Sequence, residues 1–261
     1  MRPQAHRLPL VSPKKPVPER TLVVVPAFNE EGVIGPVMAE LLTQLRAFGS
    51  SDVLVVNDGS WDATAAEAQA SGVKVASVPF NVGVGGAMRT GFVYALRNGY
   101  DAVVQFDADG QHDPAAIAEL VAGLEQADVV VGARFAGTGD YQVRGPRRWA
   151  MRFLAGTLSR ITGTTLTDVT SGFRVTGPAA LPLFAREYPQ EYLGDTVESL
   201  VLAHRAGLTI IQVPVAMRPR AGGQRSQSTV RATLYLMRAS LVLMMAVVRR
   251  QPTMPSDDWA L

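Results

Sequence analysis

The chain contains no cysteine, which excludes disulfides and thiolate chemistry and is compatible with the cytoplasm. It also lacks strong charge of either sign, with a net charge of +2 over 261 residues, so nothing global points to nucleic acid. No long hydrophobic run is present. The longest lies near the C-terminus, where Val230–Val248 is mostly apolar but interrupted by Arg231 and Arg238. The stretch left free of charge, Ala239–Val248, makes about 15 Å of helix at ~1.5 Å per residue, whereas a membrane span needs about 20 apolar residues. An in-plane interfacial helix is therefore expected there, with Arg231, Arg238, Arg249 and Arg250 near anionic headgroups; a buried packing helix or a dimer interface is the alternative. Acid is missing altogether from Ser199 to Ser256, a stretch that holds eight Arg, and this asymmetry points to an anionic partner for the C-terminal part. Residues 1–20 carry five Pro and five Lys/Arg but no apolar segment of signal-peptide type, so a flexible basic tail is expected.

What is present is enough apolar sequence, 47%, to bury the core of one large α/β domain. Short apolar runs alternate with helical patterns. Strands are predicted at Leu22–Val25, Val53–Val56, Val73–Val78, Ala102–Phe106 and Val129–Gly132. Helices are predicted at Val33–Phe48, Thr64–Ala70, Gly85–Arg97 and Ala115–Gln126. Strands joined by crossover helices make a parallel sheet with right-handed connections, and such sheets bind ligands beyond the carboxyl ends of their strands. The unusual polar residues all fall there: Asn29-Glu30-Glu31, Asn57-Asp58, Asn81 and Asp107/Asp109.

The pair Asp107-Ala108-Asp109 is the most informative of these. Two carboxylates this close repel unless a cation lies between them, and a hard divalent ion completed by substrate phosphates is the natural partner. A solvated turn is the bland alternative. The other clusters are open to two readings each. Pro26-Ala27-Phe28-Asn29-Glu30-Glu31 serves either as a helix cap or as a set of polar groups and a ring facing a nucleotide. Asp58 is a turn former or an acceptor for a base or ribose. The glycine-rich stretch from Asn81 through Gly86 to Arg89 allows backbone N–H groups to approach phosphates, although its spacing is neither GxGxxG nor a Walker loop.

Taken together, PAFNEE (26–31), NDGS (57–60), NVGVGGAMRTG (81–91), DADGQHDP (107–114) and GARF (132–135) resemble family 2 inverting glycosyltransferases. More narrowly, they resemble dolichyl- or polyprenyl-phosphate mannose or glucose synthases. The resemblance runs from about Thr21 to about Ser228. It implies a GT-A fold with a mostly parallel Rossmann-like sheet. It implies a nucleotide-sugar donor (GDP- or UDP-linked) held by Pro26, Phe28, Glu30, Asp58, Asn81, Gly86, Arg89, Asp107, Ala108 and Asp109, and a Mg²⁺ or Mn²⁺ site at Asp107, Asp109 and Gln111. Asp168-Val169-Thr170-Ser171-Gly172-Phe173-Arg174 matches the segment that closes the catalytic pocket, so Asp168 and Arg174 join the catalytic set. The Arg-rich stretch with Arg134, Arg144, Arg147, Arg148 and Arg152 looks like a clamp for a lipid phosphate, as Arg binds phosphate bidentately. The family's Arg is commonly followed four residues later by Ser; here Met151 follows Arg147 and Arg152 follows Arg148. Arg218 to Ser226 resembles the loop that closes over the site and offers Arg220 and Ser226.

The expected acceptor is a polyprenyl phosphate, which is already dianionic at cell pH and needs no strong base. The alternative is a sugar hydroxyl in a glycan or glycolipid, for which Asp168, Asp195 or Glu198 would act as base; a non-catalytic nucleotide-sugar or lipid binder is the third reading. The resulting organisation is a tail (1–20), a transferase domain (21–228) and a membrane-proximal helix (229–261). The expected location is the cytoplasmic face of a membrane, peripheral or monotopic, with its own anchor or a small membrane-protein partner, and in an oligomeric state the sequence leaves open.

Overall fold

The computed structural model describes residues 14–48, 51–134, 146–190 and 194–220. Seven strands form one sheet: β1 (Thr21–Ala27), β2 (Ser51–Asn57), β3 (Lys74–Ser77), β4 (Ala102–Gln105), β5 (Val129–Ala133), β6 (Arg174–Thr176) and β7 (Ile210–Pro214). Their order is β3-β2-β1-β4-β6-β5-β7. The pairs β1–β2, β1–β4, β2–β3 and β5–β7 are parallel, while β6 runs antiparallel to both β4 and β5.

Helices cover both faces. On one side lie α1 (Ile34–Phe48), α2 (Thr64–Ala70) and α4 (Ile117–Ala122); on the other lie α3 (Gly83–Arg97), α5 (Pro146–Thr162), α6 (Leu181–Glu187) and α7 (Ser199–Arg205). Every residue of β1 is buried, the pattern of a strand covered on both faces. Successive side chains go to opposite layers. Leu22 and Val24 pack with Met88, Phe92 and Phe184, whereas Val23 and Val25 pack with Ile34, Met38 and Leu41. Gly91 sits where a Cβ would lie 2.4 Å from a Val24 methyl, so α3 closes directly onto β1.

The first half follows the periodicity closely, with element ends moved by one or two residues. The predicted helix Ala115–Gln126 is instead a short α-helix flanked by 3₁₀ turns at Pro114–Ala116 and Gly123–Glu125. The expected tail is strapped to the domain from Lys14 onward. Lys15 Nζ lies 2.6 Å from Asp128 Oδ2 and donates to Thr209 Oγ1, and the Arg20 guanidinium lies 4.5 Å from the Tyr100 ring centre. The C-terminal helix expected within 229–261 lies outside the described residues. Among the described residues, no helix is long and apolar enough to cross a membrane.

Candidate active site

The parallel strands β1, β2 and β4 all end at one edge of the sheet, and β6, running the opposite way, begins there. The segment before β6 (168–173) is thereby brought against the carboxyl ends of β4 and β5. Between these ends opens a cleft of about 750 Å³, within the usual range for a small-molecule site. Pro26 lines it from the end of β1 and Phe28 and Glu30 from just beyond, Asp58 and Trp61 after β2, and Gln105, Asp107, Ala108 and Asp109 at the end of β4. Asn81, Gly83 and Val84 come from the start of α3, Thr170 and Gly172 from the segment before β6, Asp195 and Thr196 from a π-helical turn at Gly194–Glu198, and Arg220 from beyond β7.

The acidic pair is held by its own turn. Asp107 donates its backbone N–H to His112 Nδ1 at 3.0 Å, so the imidazole proton resides on Nε2, which points toward Asp107 Oδ2 at 3.5 Å. The ring is buried, stacked on Phe173 at 4.5 Å and edge-on to Phe106. Burial pushes His112 below its ordinary pKa, against the pull of Asp107 and Asp109, so it serves as a neutral brace. Burial, followed by the charge of Asp107, pushes the Asp109 carboxyl above its usual range. A dication beside both carboxylates would relieve that repulsion. Among the described residues, no group of three or more acidic or imidazole side chains gathers to hold a metal. Asp107 and Asp109 are the two acidic groups whose repulsion such an ion would relieve, and a Mg²⁺-type ion is one that takes few carboxylates and completes its shell with ligand phosphates. At the third expected ligand, Gln111, the backbone braces the turn: its N–H donates to Asp109 Oδ1 at 3.0 Å and its carbonyl accepts from Arg218 N.

Gly172 fixes where Asp107 can sit. A Cβ there would lie 3.0 Å from both Asp107 Oδ2 and Gln105 Nε2. Gly172→Ala is expected to retain the fold, displace the Asp107 carboxylate by a few tenths of an ångström and weaken divalent-cation binding at the acidic pair about tenfold, one lost tenfold step being about 1.4 kcal/mol. A Mn²⁺-binding titration, read beside a melting curve, checks this; unchanged cation affinity would refute it.

Asp58 accepts backbone N–H bonds from Val82 (2.7 Å) and Gly83 (2.9 Å). It thus anchors the first turn of α3 while lining the cleft. Burial raises its pKa, and these two hydrogen bonds oppose the rise. The glycine-rich stretch divides between two tasks. Gly83 faces the cleft with φ of 80°, whereas Gly85 and Gly86 make room for packing: a Cβ would lie 2.2 Å from the Pro189 carbonyl or 2.6 Å from a Val82 methyl. Arg89 does not reach the cleft wall, because its Nε donates to the Ala185 carbonyl of α6 at 3.3 Å.

Arg134, expected to meet an acceptor phosphate, is bound to Asp168. Its Nε and Nη2 approach the two carboxylate oxygens at 2.6 and 2.9 Å, and Nη2 also donates to Thr170 Oγ1. Burial would raise the Asp168 pKa, but the Arg134 hydrogen bonds and charge outweigh it and hold the carboxyl below its usual range. Asp168 and Arg134 therefore tie the segment before β6 to the end of β5. Arg174 is buried beneath that segment, donating to the Ser171 and Val169 carbonyls and to Ser199 Oγ. Arg220 reaches the cleft, 2.9 Å from Glu30 Oε1 and 3.9 Å from Asp109 Oδ2. Burial raises the Glu30 pKa, with Arg220 pulling it back. Arg147 and Arg148 stand in the first turn of α5, their side chains outside the description, and Arg144 and Ser226 lie outside the described residues.

Three wall residues have no counterpart in the sequence motifs: Trp61, Gln105 and Thr196. Of the three candidate bases for a hydroxyl acceptor, Asp195 is the one that lines the cleft.

Residues 22–181 match the model of the glycosyl transferase family 2. An undecaprenyl-phosphate mannosyltransferase of Micrococcus luteus is 33% identical over 219 residues, covering 80% of this chain and 88% of that protein. A polyprenol monophosphomannose synthase of Mycolicibacterium smegmatis is 29% identical over 236 residues, covering 83% and 85%. Among solved structures, glucosyl-3-phosphoglycerate synthase of Mycobacterium tuberculosis, in complex with Mn²⁺, UDP-glucose and phosphoglyceric acid, superposes with a TM-score of 0.67 at 23% identity, covering 89% of this chain and 81% of that one. At that identity the likeness shows the fold alone, which is GT-A.

Proposed function

The chain belongs to glycosyl transferase family 2, and on that premise we propose that it moves a hexose, with inversion, from a GDP- or UDP-sugar to a polyprenyl or dolichyl phosphate in a metal-dependent reaction. The observation that carries the reading is the Asp107/Asp109 pair lining one cleft together with Phe28, Glu30 and Asp58. The relatives from Micrococcus and Mycolicibacterium, named for lipid-phosphate mannosyl transfer, support the acceptor class.

Asp107 and Asp109 would hold Mg²⁺ or Mn²⁺, which when bound neutralises the diphosphate and stabilises the leaving nucleotide. The chain's own part is positional. His112 and Gln111 fix the acidic turn, Gly172 leaves room for the Asp107 carboxylate, and Asp58 orients the start of α3 toward the donor. Arg220 is the acceptor-side cation that reaches the cleft, and a phosphate entering beside it would compete with Glu30 for its guanidinium. Arg134 contributes by holding Thr170 and the segment before β6 in place. An acceptor phosphate is dianionic near neutral pH, with a second pKa of about 6, so its oxygen attacks the anomeric carbon without a general base. Residues 229–261, rich in Arg and apolar residues, would rest on an anionic membrane at the cytoplasmic face, alone or with a small membrane-protein partner.

The test supplies radiolabelled GDP-mannose, UDP-glucose and UDP-N-acetylglucosamine with a C55 polyprenyl phosphate and Mg²⁺ or Mn²⁺, and follows label into the organic phase. Transfer that disappears with chelator and with free prenyl alcohol is expected. The position of Asp195 on the cleft wall favours one second reading, transfer to a sugar hydroxyl with Asp195 as base. Equal use of prenyl alcohol and its phosphate, abolished by Asp195→Asn, would establish that reading instead.

A further inference from the structure

The rim of the cleft carries two large aromatic rings that the core does not use. Phe28 is 37% exposed and Trp61 is 78% exposed, yet both line the cleft. Their centroids lie 5.3 Å apart at an interplanar angle of 87°, so the two rings form a corner, touching by an edge.

The backbone of this corner is tied by hydrogen bonds. Trp61 donates its backbone N–H to Asn29 Oδ1 (3.2 Å), Asn29 donates to Ser60 Oγ (3.0 Å), and Ser60 donates to Asn57 Oδ1 (3.1 Å). Beyond it, the N–H groups of Glu30 and Gly32 are taken by Thr64 Oγ1 and Glu67 Oε2. Side chains of the β2–α2 connection and α2 thus satisfy amides of the turn that leads into α1. Asn29 is held in the left-handed region at φ of 54°, a conformation non-glycine residues adopt with difficulty. The exposure of the indole is therefore that of a ring held out on a braced loop.

A flat apolar face presented beside buried carboxylates matches one occupant, a nucleobase. Its π-face would lie on the indole, and its polar edge would meet Asp58 and Glu30, which line the same cleft. We propose that Trp61 is a donor-binding residue whose indole face stacks on the nucleobase of the nucleotide-sugar and sets nucleotide affinity. The assignment rests on the nucleotide-sugar reading above.

The test titrates the full chain with UDP and with GDP in the presence of Mn²⁺, by calorimetry and by tryptophan fluorescence, with Mn²⁺-pyrophosphate as the base-less probe. Trp61→Ala should weaken the tighter nucleotide tenfold or more, in line with losses of roughly five- to a hundredfold on removing a stacking ring, and leave pyrophosphate binding unchanged. Trp61→Phe should recover most of the affinity while removing the nucleotide-dependent quenching, since the remaining tryptophans are Trp149 and Trp259. Wild-type affinity in Trp61→Ala, or an equal loss toward pyrophosphate, overturns the stacking. A wild-type chain that binds neither nucleotide overturns the nucleotide-sugar reading and the stacking with it.

Discussion

Replacing Asp109 with Asn should abolish sugar transfer, by a hundredfold or more, without lowering the melting temperature. The first effect follows from losing one of two carboxylates that would hold the cation on the leaving diphosphate; electrostatic stabilisers of this kind are each worth about 10² to 10³ in rate. The second follows from the sign of the pKa shift. Burial and Asp107 raise the folded-state pKa of Asp109, so above that value its negative charge disfavours the folded state. As pH falls from the folded pKa to the unfolded one, that penalty is relieved. An uncharged Asn removes the penalty at neutral pH, and the variant should melt at or above the wild-type temperature without metal. Turnover at saturating Mn²⁺, Mn²⁺ binding followed by electron paramagnetic resonance, and a melting curve decide the matter. Activity within tenfold of wild type would remove Asp109 from the metal site.

Asp168→Asn should fail differently, losing stability and activity together. The Asp168 carboxylate is wholly buried and its Arg134 partner is only 17% exposed. Removing one member of a buried pair strands the other charge, which typically costs about 3–5 kcal/mol. The lost interaction also frees Thr170 and Gly172, so the Asp107 side of the cleft should loosen. The folded-state pKa of Asp168 is depressed; its contribution is therefore fully present above the unfolded value of about 3.9 and fades as pH falls through the folded one. The stability gap between wild type and variant, measured by denaturant unfolding, should shrink in acid below about pH 4. A gap that persists unchanged at pH 2–3 would mean the charge of Asp168 is not its source, and an Arg134→Met variant that keeps wild-type stability while losing only acceptor affinity would mean Arg134 serves the acceptor phosphate before it serves Asp168.

The contrast between these variants reflects how much of the site could be read from the chain. Asp107 and Asp109 were legible because a buried strand ending in two acids is a local pattern with a local electrostatic cost. Glu30, Asp58 and Asn81 were legible by position, since each follows a short apolar run and parallel strands deliver their ends to one edge. Arg134 was not, because an Arg bound for a phosphate and an Arg bound for Asp168 look alike until β5 and the segment before β6 are brought together. Arg89 and Gly86 belong to a glycine-rich stretch that phosphate approach explains equally well on paper. In the structure, the backbone at Pro189–Gln190 and the carbonyl of Ala185 account for Gly85 and Arg89, and the side chain of Val82 accounts for Gly86. Trp61, Gln105 and Thr196 carried no local signal, as a single aromatic, amide or hydroxyl is unremarkable until something faces it.

By itself the sequence determined the alternation of buried strands and covering helices from Thr21 to Ala133, and hence the parallel half of the sheet with its polar edge. Those are consequences of short-range periodicity, which needs no knowledge of distant residues. Only the tertiary structure decided that β6 enters between β4 and β5 in the opposite sense, since a three-residue strand has no period to read. That reversal places Thr170 and Gly172 at the acidic pair and sets Asp168 against Arg134. It leaves Arg220, 190 residues from Glu30, to close the charge balance of the cleft. The chemistry-bearing residues were written locally, but which of them face a ligand and which face each other depends on contacts between segments far apart in the chain.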